Sequence, residues 1–197
     1  MMSTFHNPPK LHTGDVVACW GHDWVSRFIS LMTVSVLPPW ELVWPPSHVA
    51  IIHREPGAEP LWYESTTMAQ GTAASCKRPV YGVQEHCPID RWNAYHGRCV
   101  VYRPAVALSQ DQKDRIGVDL RAAVARHVPY DMTGAILSGT RILRHFVPAS
   151  RRRLFCSELI ATVLQRADLM NWSAPSAYSP GRLLRELVKT GAYERVN

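Results

Sequence analysis

The sequence predicts an α+β fold, with neighbouring antiparallel strands in a sheet and the helices segregated from it. Three observations predict it. Short β-rich runs broken by turn residues recur up to about residue 103, the longer helical periodicities follow, and 197 residues of which 46% are hydrophobic suffice to build one core. Prolines gather at 38, 39, 45 and 46, yet no linker or internal repeat divides the chain. Residues 1–197 therefore read as a single domain, with its core over about 13–170 and a last helix at 179–190.

Each element has its own signal. The turn Thr13-Gly14-Asp15 enters a short apolar run, Val16 to Trp20, that predicts a buried strand. Val25, Phe28, Ile29 and Met32 then fall at helical spacing and predict an amphipathic helix over 22–33. Segments 47–53 and 61–65 are β-rich and separated by Pro56-Gly57, which predicts antiparallel neighbours. Further strands are expected near 78–83 and 98–103. Ile116, Leu120, Ala123 and Val124 predict a helix over 109–127, with Ser109 and Asp111 as its start signals. A weaker helical pattern covers 133–145. A stronger one runs from Cys156 to Ala167 on the stripe Leu159, Ile160, Val163, Leu164. Ser179-Pro180, a cap followed by proline at the first helical position, opens a helix to about Val188.

Composition narrows the function classes. Lys and Arg number 22 against 16 Asp and Glu, a net +6 that falls short of a nucleic-acid binder. No apolar run is long enough to span a bilayer, and residues 1–15 lack the basic and apolar regions of a signal peptide, so a cytoplasmic location is expected. The five cysteines, an odd count with no CxxC pair, are expected as reduced thiols. His48 and His53 with Cys76, Cys87 and Cys99 have no structural-zinc spacing, and no phosphate-loop or dinucleotide fingerprint appears, so neither metal nor cofactor is expected. Asp15 reads as a brace for the backbone of its turn. The cluster Arg141, Arg144, Arg151, Arg152 and Arg153 reads first as a solvated face, with contact to an anionic substrate or phospholipid surface as the rival.

Position singles out three candidates for chemistry. Cys156 opens a strongly amphipathic helix, where unpaired N–H groups and the positive dipole end favour a thiolate; the rival reading is an inert buried thiol. His48 stands at the mouth of a strand, rigidly held yet near solvent, although a lone histidine is as readily a satisfied surface or core imidazole. Glu64 lies on the adjacent strand, where a buried carboxylate needs a partner and an imidazolium would serve. Together they make the pattern of nucleophile, base and orienting carboxylate.

The segments GDVVACW, WVSRFISLMT, PSHVAII, WYEST, YD and FCSELIA, in that order over about 13–170, resemble the circularly permuted NlpC/P60 (papain-like) cysteine hydrolases, in particular the YiiX/YaeF-like group. The resemblance implies an antiparallel sheet or half-barrel packed by helices, with the nucleophile at a helix N-terminus. It implies Cys156 as nucleophile, His48 as base, Glu64 as the residue that orients the imidazole, and Tyr130 as an aid to the oxyanion. It further implies hydrolysis of an amide or peptide bond of the cell-wall-peptide type through a thioester. Lipid acyltransferases or thioesterases of the same permuted fold are the alternative, and a non-catalytic binding domain is the rival of another class. The chain departs from the pattern at 34–46, a long aromatic approach to His48 in which Trp40 and Trp44 read as an apolar lip for substrate or a membrane surface, with a loop packed on its own domain as the rival. The partner expected is thus a small peptide, amide or acyl-ester substrate, with no nucleic acid. The oligomeric state is left open.

Overall fold

The computed structural model describes residues 8–34, 38–66, 81–129, 155–171 and 173–196. Tyr130, Cys76, the helical pattern at 133–145 and the arginines at 141, 144 and 151–153 lie outside the described residues. Six strands form one antiparallel sheet: β1 (Val16–Gly21), β2 (His48–His53), β3 (Leu61–Thr66), β4 (Gly82–His86), β5 (Gly97–Pro104) and β6 (Tyr193–Arg195). Their order across the sheet is β4-β3-β2-β1-β5-β6. Five described α-helices accompany them: α1 (Trp24–Met32), α2 (Pro88–Ala94), α3 (Gln110–Ala125), α4 (Cys156–Arg166) and α5 (Pro180–Lys189).

Alternation along the strands gives the sheet two apolar faces. Val16, Ala18, Val49, Ile51, Tyr63 and Tyr102 point to one, where they meet Ile116 and Leu120 of α3, Leu159, Ile160, Val163 and Leu164 of α4, and Leu183 and Leu187 of α5. Val17, Cys19, Ala50, Ile52, Trp62 and Val101 point to the other, covered by Leu11, Trp92, Tyr95 and Val196. Both faces being covered explains why β1 and β2 are nearly continuous apolar runs rather than alternating ones.

The caps are where the sequence places them. Ser109 accepts from Gln112 N–H while Gln112 Oε1 accepts from Ser109 N–H, a reciprocal capping box that starts α3. Ser179 accepts from Arg182 N–H ahead of Pro180. Asp15 is fully buried and braces its turn, accepting from His12 N–H and, through two oxygens, from the Arg103 guanidinium at 2.8 Å.

Three features differ from the sequence expectation. β4 lies a few residues later than 78–83, because Gln84 and His86, polar by type, are buried inward-facing positions. α2 and β6 are unexpected; they span seven and three residues, too short to show a period. In α1 the apolar positions face outward: Trp24 is 79%, Phe28 44% and Leu31 59% exposed, and the buried residue of the helix is Ser30. Spacing reveals that a helix has an apolar stripe, not that anything covers it.

Candidate active site

The site forms where the first residue of β2 meets the first residue of α4. His48 pairs with Cys19 across β1 and β2, and Ile51 pairs with Tyr63 across β2 and β3. Continuing that register sets Glu64 opposite Ala50, diagonal to His48 on the same face. The His48 ring accordingly reaches Glu64, and Nε2 donates to Glu64 Oε2 at 2.7 Å. An ionised carboxylate only accepts, so Nε2 carries the proton and Nδ1 is the ring nitrogen left for another partner.

Cys156 stands near enough to the imidazole for its thiol to act on the protonation of the ring. Cys156 is the first residue of α4 and is 3% exposed, with Leu159, Ile160 and Val163 below it anchoring the helix to the sheet. Phe155 occupies the N-cap position and has no side-chain acceptor for the first-turn N–H groups. Burial alone would lower the His48 pKa, but the charge and hydrogen bond of Cys156, and those of Glu64, raise it to about 10. The imidazolium form is therefore favoured beside the ionised Glu64.

Glu64 is fully buried and heavily braced. Arg91 Nε donates to Oε1 at 2.7 Å and Arg91 Nη2 to Oε2 at 3.3 Å, while Trp62 Nε1 donates to Oε2 at 3.1 Å. His86 Nε2 stands 3.3 Å from Oε1, an electrostatic contact whose alignment falls short of a hydrogen bond. Desolvation would push the Glu64 carboxyl up. The contacts from His48 and His86, with the charges of His48 and Arg91, outweigh that and hold it well below the usual carboxylate range. On the far side of His48, Tyr95 stacks at a centroid distance of 6.5 Å and 20° between planes, and the Arg91 guanidinium lies 5.4 Å from the Tyr95 ring centre.

The structure thus brings together Cys156, His48 and Glu64. Trp40 begins a short 3-10 turn, Trp40–Leu42, that buries Leu42 and leaves the indole 70% exposed. Trp44, 48% exposed, lines a groove of about 720 Å³ with Trp20, Phe28, Leu31, Arg27 and Arg98, and neither Cys156 nor His48 is in its walls. Sequence reasoning missed Arg91, His86, Trp62 and Tyr95. Arg91 had a readable signal, since Pro88 at a first helical position and Asp90 in the first turn announce the helix that carries it.

No family model matches the chain, and no curated protein matches it in sequence. In structure it is similar to the crystal structure of metalloprotein YiiX from Escherichia coli O157:H7, DUF1105, with a TM-score of 0.59 and 19% identity over 94% of this chain and 96% of that one. This likeness shows a YiiX-like fold. The donors do not fit a metal ion: among the described residues no group of three His, Cys, Asp or Glu side chains is placed to hold one. Both Glu64 oxygens are moreover committed to Arg91, a cation that a metal would have to displace. No described helix is long and apolar enough to cross a membrane.

Proposed function

We propose that the protein is a cysteine hydrolase of the permuted NlpC/P60, papain-like kind, acting on an amide or peptide bond. The observation that carries this reading is the relay from the Cys156 thiol through the His48 ring to a buried, ionised Glu64. With the thiol proton held on His48 Nδ1, the sulfur attacks the carbonyl carbon to give a tetrahedral oxyanion. The proton then passes to the leaving amine as the C–N bond breaks, leaving a thioester that water, deprotonated by the same imidazole, hydrolyses. Glu64 keeps Nε2 protonated and the ring aimed throughout. The oxyanion is held by first-turn N–H groups of α4, with Tyr130 a further donor by family resemblance; one such donor is worth about 3–4 kcal/mol in the transition state.

A lipid acyl ester or thioester is the second substrate reading. It is favoured by the apolar groove of Trp20, Phe28, Leu31 and Trp44, which carries Arg27 and Arg98 among its walls. In this second reading Trp44 and the groove it lines hold the apolar part of the substrate.

The test is a panel of chromogenic peptide amides and acyl thioesters, assayed with the native protein and with Cys156→Ser. Amide turnover lost in the variant supports the first reading, and turnover of thioesters alone the second. No turnover, together with uniform slow alkylation of all the thiols by iodoacetamide, would leave a non-catalytic binding domain.

A further inference from the structure

A pair of thiols lies outside this relay. Cys19 and Cys99 face each other directly in the β1–β5 ladder, and their sulfurs are 3.5 Å apart, with the Cys99 S–H directed at Cys19 Sγ. Directly opposed residues of an antiparallel pair have Cα separations of about 4.5 or 5.5 Å, both inside the span of about 4.4–6.8 Å that a disulfide tolerates. Closing the bond therefore asks for side-chain rotation and a small approach of the strands. The two residues differ in access: Cys19 has no exposure, while Cys99 is half-buried beside Trp92 and Tyr95.

We propose that Cys19 and Cys99 form an oxidisable dithiol that a peroxide closes to a cross-strand disulfide. Cys99, the less buried of the two, attacks one peroxide oxygen; the S–O bond forms, the O–O bond breaks and water leaves, giving a sulfenic acid. The Cys19 sulfur then attacks Cys99 Sγ, the S–O bond breaks, and the hydroxyl departs as a second water with the Cys19 proton. The thiols lose two electrons and the peroxide gains them. Burial and the neighbouring Cys99 push the Cys19 thiol up, which agrees with Cys99 as the sulfur oxidised first. The remaining described thiols have no such partner: Cys87 is exposed and Cys156 is engaged with His48.

The experiment treats the full chain, native and dilute, with hydrogen peroxide, then alkylates with N-ethylmaleimide and maps the peptides by mass spectrometry. The expected product is one linked species joining the peptides of Cys19 and Cys99, lighter by two hydrogens and restored by dithiothreitol. It forms equally in Cys156→Ser, so its appearance does not depend on the hydrolase reading. In Cys99→Ser the link is absent and Cys19 is recovered as a thiol. The proposal is overturned if Cys19 in the native protein is recovered alkylated while Cys99 proceeds to sulfinic acid, or if either joins a different cysteine.

Discussion

Glu64 shows what a buried charge demands of its neighbours. Its carboxylate has no exposure and keeps its charge because a guanidinium fork, an indole N–H and an imidazole converge on it. Arg91→Met removes the one permanent cation of that set and strands the carboxylate, so stability is expected to fall by about 3–5 kcal/mol in urea unfolding. Two pH effects of opposite sign follow. Glu64 is held below its unfolded value near 4.5, so its contribution is whole above that value and is lost as pH falls through the depressed one. His48 is raised from 6.5 to about 10, so its contribution is whole below 6.5 and is lost as pH rises toward 10. The stability gap between the native protein and Glu64→Gln should therefore shrink on acidification, and the gap to His48→Gln should shrink in the alkaline window, as followed by thermal unfolding across pH. The sequence made Glu64 legible as a carboxylate in need of a partner. It could not reveal that Arg91 is the principal one, because that contact joins a strand to a helix 27 residues on.

Elements were legible in proportion to their length and to how their stripes are buried. α3, α4 and α5 each combine a start signal or long apolar stripe with a face packed on the sheet, so period and burial agree. α1 has the period without the burial. Truncation should expose the contrast: Leu164→Ala in α4, a fully buried position, is expected to cost about 2–5 kcal/mol, whereas Leu31→Ala in α1, 59% exposed, should change stability by less than about 0.5 kcal/mol in the same denaturant titration. Loss of α4 packing should also slow alkylation of Cys156, since that helix is what holds its sulfur against His48.

At the scale of the whole molecule, Trp24, Phe28, Leu31 and Met32 of α1, with Trp44 in the groove beside Phe28 and Leu31, give the protein a strongly apolar exterior on the α1 side. Phe28→Ser combined with Leu31→Ser should leave the unfolding midpoint nearly unchanged while sharply reducing retention on a phenyl column. The order of the sheet was legible only locally: the β2–β3 neighbours follow from a short turn, but the placement of β5 beside β1 depends on a connection that crosses from the β4 edge, which no local pattern encodes. Chain order has one more consequence. The imidazole and its carboxylate stand at 48 and 64, in strands made early, and the sulfur arrives with α4 only at 156. As the polypeptide leaves the ribosome from its N-terminus, β1 to β5 can pair while the thiol is still inside the exit tunnel. A nascent chain halted before α4 emerges would carry His48 and Glu64 with no Cys156 thiol beside them. The thiol thus joins the imidazole and its carboxylate late in synthesis, together with the helix that covers one face of the sheet.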